Sequence, residues 1–470
     1  MNYETSSFRD RSARVFYSGD DVFRALTADA YKDWKLVSEV PFFQRRMQQG
    51  QIVPTREILP TEALSFSRPE LAAAILQHQR VPFISYAYEW PFVMLQQAAL
   101  LHLELMFEAV NSGLTLKDAS PYNIQFHGSQ AMLIDIGSFT RLHPGEPWLA
   151  YRQFCELMLF PLLLQSYRGV DFQPLLRSQL EGISAAQFLQ WMRGWDLFRP
   201  GVFSHGWLHA LLERNAQATS TSTVRDLQSS GFDSKLITKL LQKLQKLVSG
   251  LRWVPQRTQW TQYDSSLPHV ADDLRSKSEF VHAICQQKQR TLVWDLGCND
   301  GRYSKIAAEF ASTVVAMDQD HACVENLFRS LDARQTTVLP LRVDLANPSP
   351  SQGWRGRERT RLEDRGRPDL LLCLGLIHHL VIAANVPLPD VVDWLASFQA
   401  ELVLEFPSKQ DAMVRALLRN KRDQYTDYSV ECLEAELCRH FQLEQRVKLP
   451  SGERTLYHAI PLKGLDVSSG

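Results

Sequence analysis

Net charge is almost absent from this chain. Its 51 Lys and Arg are met by 52 Asp and Glu, a formal charge of −1. Whole-molecule attraction to nucleic acid or to an anionic membrane is therefore not supported, although a local basic face stays open. Cysteine is sparse and scattered: there are seven, none in a CxxC pair, the nearest two being Cys432 and Cys438. That spacing offers neither a zinc ribbon nor a disulfide framework, and free thiols in a reducing cytoplasm are expected. No run approaches the ~20 apolar residues of a membrane span, so no span is expected. The opening stretch MNYETSSFRDRSARVFYSGDD has no apolar core and mixes both charge signs, which argues against a secretory signal. Short-period repeats are also absent.

What is present is ordinary globular composition, 45% hydrophobic and 22% charged, over 470 residues. At roughly 100–200 residues per domain, two or three domains are expected. PFVMLQQAALLHLELMFEAV (91–110) is dense in apolar residues and free of internal Gly or Pro, so it reads as a buried helix closed by Asn111, Ser112 and Gly113. Residues 150–215 read as helical, with breaks near Pro161, Gly169 and Pro200. NAQATSTSTVRDLQSSGF (215–232) reads as a polar linker. In KLITKLLQKLQKLVSGL, Leu236, Leu240, Leu241, Leu244 and Leu247 lie on one stripe with lysines on the rest. This is either a packed surface helix or one that meets a membrane surface or acidic partner. The expected division is 1–215, then a linker and amphipathic helix over 216–254, then 255–470.

From about residue 291 the pattern alternates. TLVWDLG, STVVAMD, TTVLPLRVD, PDLLLCLGLI and AELVLEF read as short apolar strands, and helical segments separate most of them. This predicts an α/β fold with a Rossmann-like, doubly wound parallel sheet. In VWDLGCNDGRYS the first strand ends at Asp295. Gly297 and Gly301 then permit a sharp turn onto a helix whose amides point at a ligand. The second strand ends at Asp318, at about the ~20-residue spacing from the glycine loop at which a carboxylate grips ribose hydroxyls, and the third ends at Asp344.

Asp295-Leu296-Gly297-Cys298-Asn299-Asp300-Gly301 resembles the first motif of the class I S-adenosylmethionine-dependent methyltransferases, and the resemblance covers roughly residues 255–465. It implies S-adenosyl-L-methionine as cofactor and methyl transfer by in-line displacement. Asp295, Gly297, Cys298, Asn299 and Gly301 should border its methionine end, Asp318 should bind the ribose hydroxyls, and Asp344 should face the adenine amine. A nicotinamide fingerprint fits less well, because position 304 is Ser where its third Gly would stand. His378 and His379, in LGLIHHL after the fourth strand, are candidate general bases or orienting groups, or else strand-end packing. Glu405 is a candidate cleft carboxylate or half of a salt bridge. Asn347-Pro348-Ser349-Pro350 follows the third strand and lacks a base-stacking aromatic, so it is no nucleobase-methylating motif. The arginine-rich insertion 353–369 reads as a solvated loop or an active-site lid. Trp260 and Tyr263 are candidates to roof the cofactor.

A second constellation lies upstream. In LKDASPYNIQFHGSQAMLIDIGSF, Asp118 and Asn123 bracket a loop after a long helix, and Asp135 follows a short strand. Lys117–Asn123 and Ile134–Gly137 resemble the catalytic and metal-binding loops of the protein-kinase-like fold. The resemblance implies a mostly helical α+β kinase-like domain before the methyltransferase module. In it Asp118 would be the base, and Asn123 and Asp135 would hold magnesium on ATP. The pattern departs from that family in three places. Leu116 stands where a His-like residue is usual. Residues 1–60 show no Gly-rich phosphate loop. Lys32 and Lys35 lie in a helical segment. Such a tandem is similar to bacterial proteins linked to nodulation or surface-glycan loci. Three functions remain open on sequence alone: methyl transfer, phosphotransfer and ligand sensing without catalysis. No motif reads a nucleic-acid base, a lipid or a peptide, so the methyl acceptor is left unnamed, as is the oligomeric state.

Overall fold

The computed structural model describes residues 2–58, 72–207, 234–255, 268–332, 337–419 and 421–462. The linker 215–232, Trp260 and Tyr263 lie outside the described residues. The chain forms two compact units, Met1–Val254 with Ser351–Arg359, and Pro255–Pro350 with Thr360–Gly470.

In the first unit, residues that read as mixed in sequence form an antiparallel sheet. Its strands are β1 (Asn2–Tyr3), β2 (Ala13–Ser18), β3 (Asp21–Leu26), β4 (Thr55–Glu57) and β5 (Ala74–His78), in the order β1-β2-β3-β5-β4. Gly19, at φ +60°, supplies the left-handed turn between β2 and β3. Phe16 and Phe23 face each other across that hairpin, with ring centroids 5.3 Å apart, and join Ala25, Ile58 and Ile75 in a small core. Helices Ala28–Ser38 and Pro41–Gln48 follow β3.

Helix Phe92–Asn111 is the apolar centre of this unit. By length and composition it would pass for a membrane span, contrary to the expectation that no run comes close. Here twelve of its residues are buried in the fold. Helix Ser234–Gly250 packs against it, and Gln96 Nε2 donates to the carbonyls of Val248 and Leu251 at 2.7 and 3.0 Å. The buried stripe of that second helix is Ile237, Leu241, Leu244 and Val248. Leu236, assigned to the stripe in sequence, is half exposed. Past Gly113 come β6 (Leu114–Leu116), β7 (Ile124–His127), β8 (Gln130–Leu133) and β9 (Phe139–Arg141), paired β6 with β9 and β7 with β8.

The second unit carries a seven-stranded sheet in the order β12-β11-β10-β13-β14-β16-β15. Its strands are β10 (Arg290–Leu296), β11 (Ala311–Asp318), β12 (Val338–Arg342), β13 (Leu370–Cys373), β14 (Glu401–Pro407), β15 (Phe441–Lys448) and β16 (Arg454–Pro461). The five strands expected from sequence run parallel as β10–β14, while β16 is antiparallel to β14 and β15. Val293, Val314, Ala316, Leu370, Leu372 and Val403 are core residues of these strands, as expected of strands covered on both faces. The strand order reverses between β10 and β13. In open α/β sheets, that switch point at the carboxyl edge is where a ligand crevice forms.

Candidate functional site

At that edge the second unit encloses a cleft of about 1100 Å³, lined by Gly297, Cys298, Asn299, Asp300 and Arg302 and by Asp318, Asp344, His378, His379 and Glu405 among others. The glycine loop builds one wall. Gly297 and Gly301 are left-handed, at φ +80° and +77°, and Asn299 between them is at +48°. The amides of Gly297 and Cys298 both donate to the Met317 carbonyl, at 2.8 and 2.9 Å, which ties the loop to the end of β11. A Cβ on Gly301 would lie 2.4 Å from Leu327 Cδ1, so this glycine lets helix His321–Ser330 approach.

Asp318 stands at the tip of β11. Its two oxygens accept the backbone N–H of Asn299 at 2.9 Å and of Asp320 at 2.8 Å. Burial raises its pKa, although those amides favour the charged form. Asp344 lines the same cleft beyond β12 and accepts the Ala346 amide at 3.0 Å.

Asp295 departs from the position the family resemblance implies. It is not among the residues lining the cleft. It is 1% exposed and lies inside β10, where it takes the Ser304 hydroxyl at 2.5 Å. Burial pushes its carboxyl up to about 7, against the pull of Ser304. The reason is positional: the residue precedes Leu296 in the strand, so the loop turns away only after it. Gly301 likewise shapes the loop without lining the cleft.

Glu405 is fully buried and is no free carboxylate. Lys277 Nζ lies 2.9 Å and Arg454 Nη1 3.1 Å from its Oε1, and Arg454 Nε reaches Asp411 at 2.7 Å. Burial alone would raise its pKa, but the two cations hold it below the usual carboxylate range. This is the salt-bridge alternative. Lys277, Arg454 and Asp411 all line the cleft and were missed in sequence. A basic residue on the helix just upstream of a glycine loop was the one available signal.

His378 is 2% exposed, and its Nδ1 has no hydrogen-bond partner. Burial lowers its pKa well below the usual range, and His379, Arg454 and Lys277 add to that. His379, its ring 4.1 Å away, is lowered to about 4 by burial and by Arg454. Both rings are therefore neutral near pH 7. Residues 360–369, in the second unit, do not line the cleft. Ser351–Arg359 groups with the first unit instead, where Gln352 Nε2 donates to the Arg177 carbonyl at 2.7 Å and Arg9 pairs with Glu358 at 2.6 Å.

In the first unit, the sequence-selected loop is assembled as a cluster. Asp118 Oδ1 accepts the Ser120 amide at 3.0 Å, and burial raises its pKa, with Asp135 adding to the rise and Asn123 opposing it. Asp135 is held by a residue that sequence reading passed over. Arg24, buried on β3, places Nη1 2.5 Å from Asp135 Oδ1. Lys32 and Lys35 instead pair with Asp29 and Glu57 at 2.8 Å, on an exposed helix face. Arg359 stacks 3.6 Å from the ring centroid of Tyr122, inside this loop. Among the described residues, no three His, Cys, Asp or Glu side chains converge as metal ligands.

No family model matches the sequence. The chain is 32% identical over 454 residues to the nodulation protein NoeA of Rhizobium meliloti, covering 96% of this chain and 94% of that protein. Among solved structures, the N-methyltransferase NodS of Bradyrhizobium japonicum WM9, with S-adenosyl-L-homocysteine, aligns with 44% of this chain and 94% of its own, at 10% identity and a TM-score of 0.32. The magnesium protoporphyrin IX methyltransferase of Synechocystis PCC 6803 aligns with 43% of this chain and 91% of its own, at 14% identity and a TM-score of 0.29. At these scores nothing is transferred from the two solved enzymes to this cleft.

Proposed function

Because the chain belongs to the family of the nodulation protein NoeA, a name that states no reaction, we propose its function from the cleft itself: S-adenosylmethionine-dependent methyl transfer to an unidentified acceptor. One observation carries the reading. A left-handed glycine loop, the carboxylate of Asp318 and the carboxylate of Asp344 line a single cleft at the strand-order switch point.

The residues fit that cofactor. About 1100 Å³ leaves room for it together with an acceptor. Asp318, already fixed by two backbone amides, keeps lone pairs for ribose hydroxyls, and Asp344, on the same cleft wall, would face the adenine edge. When bound, S-adenosylmethionine supplies a methyl group already activated on a sulfonium. The chain's own work is then to position the acceptor and receive its proton. His378 is the best-placed receiver, because its ring is neutral and its buried Nδ1 is unpartnered. Glu405 is not used as a base, since its ion pairs keep it charged and occupied. Calorimetry tests the reading: S-adenosylmethionine and its demethylated product should both bind, and no binding of either at millimolar ligand would overturn it.

A second reading, phosphotransfer from Mg-ATP by Asp118, Asn123 and Asp135, draws on the loop cluster of the first unit. As they stand, these residues do not fit magnesium, because Arg24 occupies the Asp135 carboxylate.

A further inference from the structure

One face of the first unit is left unused by either reading. Within thirteen residues the chain exposes four large aromatics: Trp195 at 87%, Phe198 at 80%, Phe203 at 57% and Trp207 at 42%. The Trp195 ring lies tilted at 44° to Phe198, with centroids 5.7 Å apart, and Phe203 stacks on Trp207 at 5.1 Å. Single exposed apolar side chains are common on protein surfaces, but a cluster of aromatics is a signal of contact with something.

The neighbouring element says what kind of contact. Helix Ser234–Gly250 has no acidic residue and four lysines, Lys235, Lys239, Lys243 and Lys246. At about 100° of rotation per residue these four fall within one narrow arc, opposite the buried stripe of Ile237, Leu241, Leu244 and Val248. The helix touches the aromatic segment directly: a Cβ on Gly201 would lie 2.5 Å from Leu247 Cδ2. Leu247 sits on the flank between the lysine arc and the buried stripe. The helix flank beside the lysine arc therefore meets the aromatic segment at Gly201. Arg168 and Arg199 add two further cations beside the cluster, sharing the single buried acid Asp196 at 3.2 and 3.1 Å.

We propose that this face binds the surface of an anionic lipid bilayer. Tryptophan and phenylalanine favour the headgroup boundary, and a lysine row beside them meets the negative surface potential. A protein groove would offer the aromatics an apolar lining but no reason for an acid-free lysine row. The overall charge of −1 does not oppose the contact, because attraction falls off within a Debye length and only the local face counts.

Vesicle co-sedimentation of the full chain tests it, with phosphatidylcholine alone and with equal parts phosphatidylcholine and phosphatidylglycerol. Binding is expected on the anionic vesicles, weakening as salt rises. The pair Lys239→Glu and Lys243→Glu should reduce it at least ~100-fold. The pair Trp195→Ser and Phe198→Ser should reduce it at least ~10-fold. All four sites are on the surface, and unchanged circular dichroism and melting temperature check that the variants fold. Absence of binding to anionic vesicles overturns the proposal. So does a result in which only the lysine pair matters, which would mean unspecific attraction. So does a concentration-dependent dimer that the aromatic pair abolishes, which would make the face a contact between copies of this chain.

Discussion

Replacing Asp295 by Asn tests how the glycine loop is supported from beneath. The carboxyl is wholly buried, and burial raises it from an ordinary ~3.9 to about 7, even though Ser304 donates to it. A carboxyl whose folded-state pKa lies above its unfolded one is stabilised as the acid. Below about pH 4 both states are protonated and there is no penalty. As the pH climbs from ~4 to ~7 the unfolded chain releases its proton while the folded chain holds it, so stability falls, and above ~7 the full penalty stands. At ~1.36 kcal/mol per tenfold change in proton affinity, the penalty is of order 4 kcal/mol. Asn keeps an oxygen that can accept from Ser304 and has no proton to lose. Near pH 5 the variant should match the native protein within about 1 kcal/mol, and near pH 8 it should be more stable by about 2–4 kcal/mol. Urea unfolding at the two pH values reads this directly. A difference between variant and native protein that does not change with pH would refute the reasoning, since it would mean Asp295 does not hold a proton that the unfolded chain gives up.

Other outcomes follow from the same geometry. Gly301→Ala forces a Cβ against Leu327 at a left-handed φ, and should lower the stability of the second unit by about 2 kcal/mol or more; an unshifted urea midpoint would contradict the packing. Asp318→Ala should weaken S-adenosylmethionine binding about 100-fold by calorimetry, the worth of one or two hydrogen bonds to a charged acceptor; unaltered affinity would remove Asp318 from the site. Since His379 is lowered to about 4 and His378 well below its usual value, neither should impose a rise in methyl-transfer rate around the ordinary imidazole value of ~6.5; a rise there that His378→Ala abolishes would overturn their assignment. Arg24→Gln strips Asp135 of its cation and should cost about 1–3 kcal/mol in thermal or urea unfolding; a neutral effect would mean the pair is not formed.

Legibility in the sequence followed burial. Strands β10–β14 are covered on both faces and appear as unbroken apolar runs, so all five were readable. β15, FQLEQRVK, buries only Phe441 and reads as a polar stretch, and the antiparallel hairpin it makes with β16 went unseen. β1–β5 are short, and β4 is a three-residue TRE, too brief to show alternation. The glycine loop was legible because it is local in sequence. The ion pairs were not, since Lys277 and Glu405 lie 128 residues apart and Arg24 and Asp135 lie 111 apart. No local pattern encodes such partners. Only the fold brings them together.

The cleft drives its two central carboxylates in opposite directions, and this divides their work. Asp318 is raised by burial with only backbone amides to offset it, so it faces the cleft as an acceptor with capacity to spare. Glu405 is more deeply buried, yet Lys277 and Arg454 lower it and engage its oxygens. Those same two cations sit close enough to His378 to disfavour its charged form. The Lys277–Glu405–Arg454 network therefore acts twice. It removes Glu405 from proton chemistry, and it adds to the burial and the neighbouring His379 that disfavour a charged His378. In the proposed reaction, a proton released by an incoming acceptor goes to a neutral imidazole of the cleft, His378, and the buried acid beside it does not compete.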